Sequence, residues 1–195
     1  MPITHVDIAN EALDLVGAST IVSLNDPTPE ARIVARALRP TVSRILQSYP
    51  FRCARRFVVL DLPELQLEQM AVRFQLPNDC LGVLHADTER WQIARDSTGQ
   101  WLVVFNEATK ALAVEYIADV FEPNQLDPVV RELVVYELAI KIAAKLTESP
   151  QRISALTRKA IFVRKQAQAS DARYSGSSAY FDGSRSNLWI DELGG

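Results

Sequence analysis

Histidine and cysteine are scarce, with two of each in 195 residues. Cys53 and Cys80 are too few for a disulfide framework and too far apart for a metal knuckle. Neither His5 nor His85 has a Cys, Asp or Glu nearby at metal-ligand spacing. No metal and no cofactor are therefore expected. Only seven glycines occur, and none of them builds a phosphate-cradling loop. The ten prolines are scattered, so the body is neither disordered nor low-complexity. No apolar run approaches the roughly 20 residues that a membrane helix needs. The opening Met1-Pro2-Ile3-Thr4-His5 lacks a basic-then-apolar leader pattern, so secretion by that route is not expected. No nucleophile motif accompanies either histidine, so no catalytic residue is assigned and no enzymatic activity is expected.

What is present is ordinary in amount and uneven in placement. Apolar residues make up 48% and charged residues 23%, enough for a sizeable core without disulfides or metals. The length suits one domain, or one domain with an insertion. Net charge is -3, but it comes in blocks. Residues 1–28 carry four acids and no base, and residues 29–56 seven arginines and one glutamate. Residues 57–150 carry seven bases and fifteen acids, and residues 151–175 six bases and one acid. The last twenty residues carry one base and three acids. Blocks of alternating sign suit a protein that packs against copies of itself or passes near a polyanion. Solvated helix faces account for them equally well.

Capping chemistry places the helices. Thr4 is an N-cap with Asp7 as its capping-box partner, and Ile3 and Ile8 form a staple. Ile8, Ala12, Leu15 and Val16 form one apolar face, and Gly17 stops the helix. Thr28-Pro29 starts a second helix, with Val34, Leu38, Val42, Ile45 and Leu46 at helical spacing. Pro40 falls inside that pattern and should kink or briefly break it. The helix ends near Ser48, before Tyr49-Pro50-Phe51. The middle of the chain reads differently. Phe57–Leu60, Ala71–Leu76, Trp91–Ala94, Trp101–Phe105 and Ala111–Ala118 read as strands, with a hairpin turn at Asp96-Ser97-Thr98-Gly99. Asp127-Pro128 opens a helix whose apolar positions nearly surround it, from Val130 to Leu146, so it should be central. Its charged stripe is Glu137, Lys141 and Lys145. Ser149-Pro150 opens a last helix with a narrow seam of Ile153, Leu156, Ala160, Val163 and Ala167.

The expected fold class is α+β: a mostly helical bundle with a small antiparallel β-sheet insertion and an extended C-terminal arm. The helical body spans 1–56 and 121–174, the β-rich insertion 57–120, and the arm 175–195. Arg52, Arg55 and Arg56 around Cys53 would lower its thiol pKa, although a small, semi-buried cysteine is the favoured reading. Arg32, Arg36 and Arg39, with Arg158 and Lys159, are candidates for inter-subunit or phosphate contacts. Phosphate contacts of this kind would give salt-dependent, sequence-independent nucleic-acid binding, the alternative function. No base-reading motif accompanies them. Tyr180, Phe181, Leu188, Trp189 and Ile190 stand in a polar terminal segment that cannot form a core alone, so they are the candidate partner-docking anchors.

Three stretches resemble the head-to-tail adaptor family of tailed bacteriophages, also called connectors or tail tubular protein A-like proteins. The first is Ala9-Asn10-Glu11-Ala12-Leu13-Asp14-Leu15-Val16-Gly17, followed by Ile21-Val22-Ser23-Leu24. The second is the helix from Glu30, with Ala31 and Ala35, to Gln47-Ser48-Tyr49-Pro50-Phe51, where the family tends to carry an aromatic turn such as Gly-Trp-Phe. The third, Phe74-Gln75-Leu76-Pro77-Asn78-Asp79-Cys80-Leu81, is similar to a Leu-Pro-x-Asp stretch. The late pair of long helices agrees. The resemblance covers most of the chain up to about residue 173 and is carried by order and spacing; the arm has no family motif.

The resemblance implies a virion structural protein at the head–tail junction, made in the host cytoplasm. It implies a homo-oligomeric ring, commonly of twelve copies, beneath the portal protein. The ring would extend the channel for genome ejection and receive the next tail component, a tail tube, nozzle or completion protein. Genome DNA would pass through without sequence-specific binding. Head-to-tail contacts in a closed ring suit the charge blocks, and an acidic majority would keep DNA from adhering to a channel wall.

Overall fold

The computed structural model describes residues 2–61, 72–88, 91–105, 111–146 and 149–174. The fold is α+β. The chain divides into two compact units, a helical one of Met1–Ala54 with Asp119–Tyr174 and a β one of Arg55–Ala118.

Helix α1 (His5–Val16) begins with the full capping box. The Thr4 hydroxyl accepts the Asp7 N–H at 3.2 Å, and the Asp7 carboxylate accepts the Thr4 N–H at 2.7 Å. Its buried face is Ile8, Ala9, Ala12, Leu13 and Val16. Leu13 is fully buried and Leu15 only half-buried, so the core-facing arc lies to one side of the expected stripe. The Asn10 amide clamps the following loop, donating to the Ile21 carbonyl at 2.9 Å and accepting its N–H at 2.8 Å.

Gly17 ends α1 in the left-handed region, with φ 74°. Its N–H is accepted by the Asp14 carbonyl, and the Ala18 N–H by the Leu13 carbonyl, each at 3.0 Å. The Arg152 guanidinium donates to the Val16 carbonyl at 2.5 Å, and it occupies the space a Cβ on Gly17 would need. Gly17→Ala should therefore cost about 1–3 kcal/mol through backbone strain and loss of this cap. Urea denaturation reads the loss. It should shrink in an Arg152→Ala background, because the collision is gone while the φ penalty remains.

Helix α2 (Pro29–Ser48) starts at Thr28, whose hydroxyl accepts the Ala31 N–H at 3.2 Å. Val34, Leu38, Val42, Ile45 and Leu46 are all buried, as their spacing requires. Pro40 does not break the helix, which is continuous through it. Both Pro40 and Arg36 are exposed, so the Arg36 carbonyl that loses its donor faces water. After Ser48 the chain turns, buries Phe51 and makes a short 3-10 turn at Arg52–Ala54. The Asp171 carboxylate accepts the Arg52 N–H at 2.8 Å.

Helix α3 (Pro128–Leu146) is the hub, since α1, α2 and helix α4 (Pro150–Tyr174) all pack on it. It buries Val130, Leu133, Val134, Val135, Leu138, Ala139, Ile142 and Ala143. Glu137 does not belong to a solvated stripe with Lys141. It accepts from Arg44 of α2 at 2.9 Å and Arg164 of α4 at 2.5 Å, joining three helices. Helix α4 contributes one seam to the core, Leu156, Ala160, Val163 and Ala167.

Among the described residues the β unit holds two three-stranded antiparallel sheets rather than one. Strands β1 (Arg55–Asp61), β6 (Ala111–Ala118) and β3 (Cys80–Ala86) form the first, with β6 central. Strands β2 (Val72–Gln75), β5 (Trp101–Phe105) and β4 (Trp91–Arg95) form the second, with β5 central. Val58 and Leu60 lie opposite Val114 and Leu112, the latter two buried. The β4–β5 turn is tied by Asp96, whose carboxylate accepts the Thr98 N–H at 2.8 Å and the Gln100 N–H at 2.9 Å.

Candidate interaction surface

The five basic candidates are divided between two helices. Arg32, Arg36 and Arg39 lie on α2, while Arg158 and Lys159 lie on α4. Arg32 folds back on its own helix start, donating to the Pro27 carbonyl at 3.1 Å and the Thr28 carbonyl at 3.4 Å. Arg39 pairs with Asp119, and its guanidinium lies 4.5 Å from the Phe121 ring centre. Two arginines expected to reach phosphates or a neighbouring subunit are thus engaged within the chain. Arg36 and Arg158 are exposed. The Lys159 ammonium sits 5.2 Å from the Phe162 ring centre. The anchors Tyr180, Phe181, Leu188, Trp189 and Ile190 lie outside the described residues, as does the arm itself.

The histidines and cysteines take structural positions. His5 stacks on Phe121 with ring centres 4.1 Å apart, and its Nε2 lies 3.1 Å from the Phe121 carbonyl oxygen. His85 is exposed on β3, in register with Glu115. Among the described residues no group of His, Cys, Asp and Glu could hold a metal ion. A hollow on the β2-β5-β4 sheet is lined by Arg73, Gln92, Arg95, Asp96 and Ser97, and the Asp96 carboxylate in it accepts the Thr98 and Gln100 N–H groups.

Cys53 follows the favoured reading, a half-buried cysteine, and not that of a thiol activated by its arginines. Burial pushes its thiol up, and the carboxylates of Asp127 and Asp171 add to the shift, against a backbone hydrogen bond at Asp127. The neighbouring arginines do not lower it; Arg52 itself pairs with Asp127 at 3.7 Å. Burial likewise raises Cys80 and Tyr116. Native Cys53 should therefore react with a disulfide reagent near pH 8 at least about tenfold more slowly than in denaturant, because only the thiolate attacks. Rapid labelling of the native chain would contradict this. The linkage runs the same way for all three groups. A raised folded pKa leaves their contribution intact below the unfolded pKa, and it is lost as pH rises above about 8.5–10.

Two surface features were not picked out by the sequence pattern. Ile161 and Phe162 on α4 are 52% and 59% exposed, off the seam that packs on α3. Val22, after α1, is 91% exposed. The α4 pair is legible in sequence as apolar residues off the helix seam, flanked by Arg158, Lys159, Arg164 and Lys165. Comparison with models of protein families finds none that matches the chain, and comparison with curated proteins finds no relative.

Proposed function

We propose that the chain is a virion structural protein, a ring-forming head-to-tail adaptor of a tailed bacteriophage, without enzymatic activity. The order of elements carries the reading. A four-helix body is interrupted between α2 and α3 by a β unit. The three stretches that resemble the adaptor family fall at its joints. The first runs along α1 into the Gly17 cap. The second is α2 ending in the turn that buries Phe51. The third is β2 and the turn into β3, where the Cys80 N–H is accepted by the Pro77 carbonyl at 3.0 Å. In this reading the protein binds the portal, closes a ring commonly of twelve copies, extends the DNA channel and receives the next tail component. It works at the head–tail junction of the virion after synthesis in the host cytoplasm, and the arm residues Tyr180, Phe181, Leu188, Trp189 and Ile190 anchor it to a partner. The nucleic-acid alternative draws less support, since Arg32 and Arg39 are spent within the chain.

The test is electron microscopy and light scattering of the full chain, alone and with the portal ring of its own virus. An annular particle, or added mass seated on the portal, is the expected result. A chain that neither forms rings nor adds to the portal overturns the reading.

A further inference from the structure

Among the described residues, helix α4 has a face on which nothing packs. Its seam is spent on α3, yet Arg158, Ile161, Phe162 and Lys165, at i, i+3, i+4 and i+7, all point to solvent. Lys159 and Arg173 are exposed beside them, and the one acid on the helix, Asp171, is buried. The face is an apolar pair inside a uniformly basic frame.

Helix α1 presents the opposite. Asp7, Glu11 and Asp14, at i, i+4 and i+7, are all exposed. No base occurs in sequence before Arg32, and Arg152 reaches the C-terminal end of the helix, at the Val16 carbonyl. The exposed Val22 follows Ile21, which the Asn10 amide of α1 holds from both sides. Seven residues separate Asp7 from Asp14, and seven separate Arg158 from Lys165. At about 1.5 Å of rise per residue both charge pairs span about 10.5 Å. Two helices laid side by side could match both ends at once.

We propose that the outward face of α4 docks on the acidic face of α1 in a second copy of this chain. The proposal deepens the ring reading above by naming the surfaces through which copies meet. The two faces are different, so the contact is heterologous: repeated, it closes into a ring or runs on as a filament. Complementary charge sets register and steers encounter, and the buried Ile161–Phe162 pair supplies apolar area. A track for nucleic-acid phosphates is a poorer occupant, because it offers the Ile161–Phe162 pair no apolar counterpart such as the exposed Val22.

The test uses two charge-reversed variants of the full chain, followed by sedimentation velocity at low and high salt. One variant carries Glu11→Lys with Asp14→Lys; the other carries Arg158→Glu with Lys165→Glu. Asp7 is left in place because it caps α1. All four positions are exposed, so circular dichroism should match the parent. The parent should self-associate, more strongly at low salt. Each variant alone should associate at least about tenfold more weakly, because like charges then face each other. An equal mixture of the two should associate again, since each supplies the face the other lacks. A parent that stays monomeric at every concentration overturns the proposal, while portal binding could still uphold the adaptor reading. A mixture that fails to associate also overturns it. So does an α1 variant that behaves like the parent, which would place something other than α1 on α4. Salt-dependent DNA binding lost only in the α4 variant, with no self-association, assigns the face to nucleic acid instead.

Discussion

Phe51→Ala should destabilise the helical unit by about 3–5 kcal/mol. Phe51 is 1% exposed, one of the largest side chains in the core. The chain reaches it through a tight turn, with the Phe51 N–H accepted by the Tyr49 carbonyl at 2.8 Å and the Ala54 N–H by the Phe51 carbonyl at 2.9 Å. Those bonds fix the backbone, so little can move in to fill the space. Removing a buried phenyl ring costs about 3–5 kcal/mol by lost transfer and residual cavity. A typical domain has only about 5–15 kcal/mol in hand. Phe57→Ala is the matched control, since Phe57 is 65% exposed and its loss should stay within about 0.5 kcal/mol. Urea denaturation followed by the helical dichroism signal separates them. Equal losses at the two positions would contradict the burial of Phe51. A large loss at Phe51 alone would make the aromatic turn after α2 a packing element rather than a contact surface.

Helix starts were legible because their chemistry is local. A threonine whose hydroxyl accepts an N–H three residues on leaves its mark in four or five letters, and Thr4 and Thr28 both do. Strand β6 was legible through its alternation, which places Leu112, Val114 and Tyr116 on one buried face. Strand β3 was not. Its ladder with β6 shifts register between Cys80 and Gly82 and again between Val83 and His85. Each shift disturbs the two-residue alternation from which strands are read. That the strands divide between two sheets is set by pairings distant in sequence, such as β1 with β6. The charged residues were the least legible. Glu137 looked like the start of an exposed i, i+4 stripe, but it is drawn to Arg44 and Arg164, 93 and 27 residues away in sequence. Arg39 looked available and is held by Asp119, 80 residues on. Partners so distant in sequence are set by the tertiary fold, and helix periodicity carries no trace of them. The faces of α1 and α4 were half legible, as blocks of charge whose orientation only the packed helices supply.

Val114→Asp should melt the β unit and leave the helices standing. Val114 is 1% exposed on the central strand of its sheet, in register with Val58 on one side and Ala86 on the other. A carboxylate there loses its water beside Val58 and Ala86, a cost of several kcal/mol. The β unit is small, and a domain near that size buries too little surface to absorb such a loss. The helical core draws on Leu13, Leu38, Leu133, Leu138 and Ile142, none of which belongs to the β unit. Hydrogen exchange read by mass spectrometry should show amides of 111–118 losing protection while those of 133–143 keep theirs. Loss at both would mean the units fold as one. Burial raises the folded pKa of the new carboxyl above its unfolded value. Stability of the variant should therefore be greatest below about pH 4 relative to the parent at the same pH, and the deficit should grow as pH rises through the raised pKa. A deficit independent of pH would point to lost packing volume instead of buried charge.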